Sequence, residues 1–99
     1  MAMDEYRLLK EEELEKALKT LENWRLKDGK LYRKIEFKDF IDCIGFMVKV
    51  AIEAEKMQHH PEWFNVYNQL EIWLVTHDLG GISTYDVKLA QKINELIAG

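Results

Sequence analysis

The chain has 99 residues, 47% of them hydrophobic and 32% charged, with a formal net charge of −4. That size and balance fit one folded domain over residues 1–99 and exclude a disordered chain, while the acidic charge excludes non-specific nucleic-acid binding, which needs a basic surface. No apolar run nears the roughly 20 residues of a membrane span, "MAMDEYRLLKEEELEK" is too charged for a signal peptide, and a single cysteine, Cys43, fits a reducing, cytoplasmic compartment.

In chain order, Leu14, Ala17, Leu18 and Leu21 recur at helical spacing in "EEELEKALKTL". They predict an amphipathic helix over Glu11–Leu21, whose acidic start suits the positive end of the helix dipole. In "WRLKDGKLYRKIEF", Asp28-Gly29 predicts a type I′ hairpin turn, which needs two residues tolerant of positive φ. Beyond it Leu31, Ile35 and Phe37 alternate with Tyr32, Lys34 and Glu36, the pattern of a strand with one buried face. Lys38–Gln58 is the longest predicted helix. Phe40, Ile41, Ile44, Met47, Val48, Ala51 and Ile52 are its expected core face, and Phe46, Val50 and Ala54 widen the apolar sector. Only Asp42, Lys49, Glu53 and Lys56 remain as a narrow polar stripe. A helix this apolar is covered on more than one side, and a homodimer or homotetramer is expected to supply the extra cover. Cys43 falls inside the same pattern and reads as buried filler.

Pro61 restricts His60 and predicts a helix end near His59. Trp63–Tyr67 and Leu70–Thr76 read as two strands joined near Asn68-Gln69. Ile72 and Leu74 line one face of the second strand, Trp73 and Val75 the other, so both faces are apolar. "DLGGISTYD" is a loop leading into a last helix, Thr84–Ala98, that buries Leu89, Ala90, Ile93, Leu96 and Ile97. The order αββαββα predicts an α+β fold, an antiparallel four-stranded sheet with helices packed on one face.

The chain's three histidines fall close together, at His59, His60 and His77. Glu55 and His59, four apart, are expected on one face at the end of the long helix. His60 stands at the bend made by Pro61, His77 ends a strand, and Asp86 lies in the first turn of the last helix. Element ends are where chemistry collects. Each residue also has a structural explanation. His59 or His60 can bond the last helical carbonyls. Asp86 follows Ser83 by three, which resembles a capping box, and for Asp86 alone that is the stronger reading. Zinc ranks below metal-free acid/base chemistry, because adjacent histidines point apart and neither H-x-x-x-H nor C-x-x-C occurs.

Taken together, Glu55, His59-His60-Pro61, Tyr67, His77 and Asp86 resemble the signature of the pterin-4a-carbinolamine dehydratases. The likeness runs on through "HHPEWFNVYNQLEIWLVTHD", the "GG-IS-YD" approach to the last helix and the "W-x-L-x-DG-x-L-x-R" hairpin, and so covers nearly the whole chain. The resemblance implies dehydration of a 4a-hydroxytetrahydropterin to the quinonoid dihydropterin, with no metal or redox cofactor. It makes His59, His60 and His77 the catalytic set and Glu55, Pro61 and Asp86 the substrate-binding and orienting set. It also implies two rival readings: a dimerisation partner of a transcription factor, and an enzyme of another pterin, such as a molybdenum-cofactor precursor.

Overall fold

The computed structural model describes residues 5–99. Its elements are α1 (Glu11–Thr20), β1 (Arg25–Lys27), β2 (Lys30–Glu36), α2 (Phe40–Met57), β3 (Glu62–Val66), β4 (Gln69–Leu74) and α3 (Thr84–Ala98), with a 3₁₀ turn at His77–Leu79. The four strands form one antiparallel sheet in the order β1-β2-β4-β3. This is the expected α+β architecture.

Register explains which face is buried. Leu31 stands opposite Leu74, Arg33 opposite Ile72 and Ile35 opposite Leu70, so one face carries a nearly continuous apolar surface. Leu31, Leu70, Ile72 and Leu74 are fully buried there, each contributing roughly 1.5–3 kcal/mol by removal from water. Cys43, Phe46, Val50 and Ala54 of α2 and Val87, Leu89, Ala90 and Ile93 of α3 complete the core on that side. The opposite face is mostly polar, and its apolar Trp73 is explained by a cross-strand aromatic pair with Tyr32 at 5.2 Å. Arg25 and Lys27 lie over the Tyr32 ring and cover it.

The turns follow their local chemistry. Asp28 and Gly29 both have positive φ between paired Lys27 and Lys30, the conformation a two-residue I′ turn demands. The β3–β4 turn is Tyr67-Asn68, one residue before its expected place, because Val66 pairs with Gln69. Asp39 caps α2 by accepting the Asp42 N–H at 2.8 Å, so this helix starts at Phe40, two residues after the expected Lys38. α3 spans the predicted residues, but Ile97 in its last turn is half-exposed.

The expected core face of α2 is off by about a third of a helical turn, and of that face Met47 alone packs against the core. Cys43, Phe46, Val50 and Ala54 face the sheet, whereas Phe40, Ile41, Ile44, Val48 and Ile52 are exposed, Ile41 by 79%. Periodicity identifies apolar faces but cannot say which one meets the chain's own sheet when a helix carries two. The larger side chains lie on the outer face, which misleads a reading by residue size.

The segment before α1 is also ordered, which the sequence reading passed over. Leu9 N–H donates to Ile82 O and Thr84 N–H to Arg7 O, both at 3.0 Å, so this segment runs beside the approach to α3. Arg7 anchors it through two hydrogen bonds to Glu13, at 2.8 and 2.7 Å. Those bonds, with one from the Lys10 N–H, hold the Glu13 carboxyl down to about 2 from 4.5. A depressed folded-state value stabilises the fold above the unfolded carboxyl's range, and that stabilisation is lost as pH falls toward 2. In an NMR titration, Arg7→Ala should move the Glu13 midpoint up toward 4.5; a midpoint still near 2 would show that Arg7 is not its cause.

Candidate active site

α2 ends before Pro61 can act. Gln58 adopts the left-handed conformation, its N–H donating to Glu55 O and the His59 N–H to Ala54 O, both at 3.1 Å. This is a Schellman closure, which satisfies the terminal carbonyls through backbone rather than imidazole. The reversal throws the next two residues off the helix axis, and Pro61 leads directly into β3. Glu55 and His59 therefore do not share a helical face as expected. Glu55 Oε1 instead meets His60 Nε2 at 2.9 Å.

His59 turns inward. Its Nε2 lies 2.6 Å from Asp86 Oδ1 in a pair that is 8% exposed at His59 and 0% at Asp86. The other Asp86 oxygen, Oδ2, accepts the Ser83 N–H and the Thr76 hydroxyl, each at 2.8 Å. Ser83 Oγ accepts the Tyr85 N–H at 3.1 Å and lies 2.6 Å from Thr76 Oγ1. One carboxylate thus does two things, with one oxygen capping α3 and the other holding an imidazole. His59 is one half of a buried pair and so supports the fold as well as lining the cleft described below.

His77 does not simply end a strand. It opens the 3₁₀ turn, which closes through Gly80, whose φ of +79° suits glycine. His77 Nε2 lies 2.6 Å from Glu62 Oε2, and Lys30 Nζ bonds the other Glu62 oxygen at 2.7 Å. Lys30 first and His77 second lower the Glu62 pKa, so its carboxylate is maintained.

His59, His60 and His77 come together around one open cleft of about 210 Å³, with Tyr6, Val75 and Thr76 in its walls. The side chains of His60 and His77 are 61% and 72% exposed. Each imidazole has its own carboxylate partner: Asp86 for His59, Glu55 for His60 and Glu62 for His77. Tyr6 packs edge-on against Tyr85, whose ring in turn meets His59 edge-on. Partial desolvation first, then the Asp78 and Asp86 charges, raise the Tyr6 pKa and keep its hydroxyl protonated. Glu62, Thr76, Tyr6 and Tyr85 escaped the sequence reading. Only the β3–β4 register and the path of the N-terminal segment place them here.

A protein-family model described as pterin 4 alpha carbinolamine dehydratase matches residues 7–96. A relative from Solibacter usitatus, named "Putative pterin-4-alpha-carbinolamine dehydratase", is 52% identical over 92% of this chain and 96% of its own. One of the same name from a Synechococcus species is 51% identical over 90% of this chain and 96% of its own. A crystal structure described as transcriptional coactivator/pterin dehydratase from Brucella melitensis is 42% identical, with a TM-score of 0.87 over 91% of this chain and 98% of that one.

The buried carboxylate gives a test that does not depend on function. As a carboxylate Asp86 only accepts, so His59 Nε2 carries the proton between them. Asp86→Asn should fold, keep its amide oxygen on Ser83 and Thr76, and turn its NH₂ toward His59, forcing the proton to Nδ1. Imidazole ¹⁵N shifts should report that tautomer change, and an unchanged tautomer would refute the assignment. Asp86→Ala should cost about 3–5 kcal/mol in denaturant unfolding, because it breaks a buried pair.

Proposed function

The chain belongs to the pterin-4α-carbinolamine dehydratase family, and from that premise we propose that it removes water from a 4a-hydroxytetrahydropterin, recycling tetrahydropterin in the cytoplasm. The C4a–O bond breaks while an acid protonates the departing oxygen. A base takes the proton from the neighbouring ring nitrogen, and the products are quinonoid dihydropterin and water. As the C4a–O bond breaks, the electron pair of the N5–H bond forms the C4a=N5 double bond; the step exchanges no electrons with a cofactor and needs only proton transfer to assist it. Histidine, with an ordinary pKa near 6.5, serves as acid or base at neutral pH.

The observation that carries this reading is the cleft ringed by three imidazoles, each with Nε2 on a different carboxylate. His60 and His77 are open to solvent and exchange protons with substrate, oriented by Glu55 and Glu62. His59 lines the cleft floor, and Asp86 acts through it as a positioning residue. Pro61 fixes the chain direction immediately after His60. With a synthetic 4a-hydroxytetrahydropterin, His60→Ala and His77→Ala should each lower turnover by roughly 10²–10⁴, the usual size of an acid/base contribution. Their circular dichroism and melting should stay close to wild type. Full activity in both variants would remove these imidazoles from the mechanism.

A second reading, an interaction role, is favoured by the outer face of α2. Ile41, Ile44, Val48 and Ile52 are exposed in one row, and a largely apolar cleft of about 570 Å³ lies beside Val48, Ala51 and Ile52. We infer that a second copy of the chain covers this face. Light scattering at micromolar concentration should report a dimer or tetramer that Val48→Glu shifts toward monomer. A monomeric wild type would leave that row for a different protein, a role consistent with the coactivator description of the Brucella structure.

A further inference from the structure

The segment before α1 brings one aromatic side chain to the histidine cleft. Leu8 pairs with Ser83 in an antiparallel bridge, flanked by the backbone hydrogen bonds between Leu9 and Ile82 and between Thr84 and Arg7. Two residues further out on each side, Tyr6 and Tyr85 meet ring to ring at 4.9 Å. The segment is fastened on both sides of Tyr6. Glu5 O accepts the Thr84 hydroxyl, and Arg7 holds Glu13. These contacts fix Tyr6 in the cleft wall, yet 42% of its surface stays open.

The rest of that wall is poor in surface for a flat heterocycle. Apart from the imidazoles, the described residues that line it are polar or charged except Tyr6 and Val75. Binding pockets for small ring compounds combine apolar or aromatic walls with a few placed polar groups. Desolvation first and the Asp78 charge next keep the Tyr6 hydroxyl protonated, so its ring is neutral. We propose that Tyr6 is a substrate-binding residue of this cleft, its ring packing against the flat heterocycle of the pterin while the imidazoles exchange its protons. This role rests on the dehydratase function proposed above. A contact of this kind holds substrate and transition state alike, so its loss raises KM more than it lowers kcat.

Two measurements on the full chain test the role. One is steady-state kinetics with the synthetic 4a-hydroxytetrahydropterin. The other is calorimetric titration with a dihydropterin that lacks the 4a-hydroxyl and cannot lose water. Tyr6→Ala should raise KM and weaken analogue binding by roughly 5–100-fold, the range for removing one aromatic stacking contact, with kcat little changed. Tyr6→Phe keeps the ring and should lose much less in both. Because Tyr6→Ala also removes the contact with Tyr85, the unaltered chain provides a second arm: with the analogue bound, NMR cross-relaxation should connect the Tyr6 ring protons with the pterin. Suppose the wild type turns over substrate and binds the analogue. Equal KM and affinity in Tyr6→Ala, or no cross-relaxation from Tyr6, then overturns the role and leaves the dehydratase function standing. A loss confined to kcat also overturns it, since Tyr6 would then act only as a positioning residue through Tyr85 on His59. A wild type that neither turns over substrate nor binds the analogue overturns the dehydratase function and this role with it.

Discussion

The Asp86 carboxylate joins three parts of the fold that are distant in sequence. Oδ1 holds the residue after α2's closure, while Oδ2 holds the start of α3 and the end of β4. A fully buried carboxylate is tolerated only when its oxygens are satisfied, and here three donors do so. The requirement runs both ways. The donors must come from a strand end, a helix cap and a helix exit, so the buried charge dictates how those element ends meet. The histidine cleft lies where they converge. Its geometry is therefore tied to the fold rather than to a mobile loop.

The same physics distinguishes residues of one type. His59, His60 and His77 all bond a carboxylate through Nε2, yet only His59 is shielded from water. Charge pairing in a low-dielectric interior is strong and leaves little freedom, whereas exposed pairs contribute little to stability and re-form readily. His59 is consequently bound up with the structure, and the other two are available for exchange. Arg33 presents the opposite case, a buried charge whose Nη1 donates to the neutral Asn94 and whose Nε has no hydrogen-bond partner.

Local patterns made most of the fold legible. The alternation of β2, the Asp28-Gly29 turn and the periodicity of α3 each depend on neighbours within a few residues, and each matches the structure closely. The face of α2 was not legible, because both its faces are apolar and the choice between them is made by a sheet whose order depends on the entire chain. The site divides in the same way. His59, His60, His77 and Asp86 stood out by type and spacing, and the Ser83–Asp86 cap was visible as a local motif. Partner assignment was not visible. Glu55 was assigned to His59 by helical spacing, but a left-handed Gln58 breaks the helix two residues too soon for that rule to apply. Glu62 reaches His77 only through the pairing of β3 with β4, which places Glu62 opposite Trp73 and leaves His77 just beyond the strand end.

The early end of α2 matters for chemistry as well as for prediction. A helix continued to His59 would project that side chain along the Glu55 row, toward solvent and away from Asp86. The left-handed residue reverses the chain, so that adjacent His59 and His60 point in different directions, one into the fold and one out of it. A regular helix separates adjacent side chains by about 100° around its axis but keeps both on its surface. The irregular exit here gives one imidazole to the buried Asp86 pair and leaves the next open to solvent at the cleft. Gln58 has no β-branch and stands in the conformation that closes the carbonyls of the last turn, so the strain of its positive φ is set against two backbone hydrogen bonds. Two neighbouring histidines of identical chemistry thereby acquire different environments from one backbone torsion.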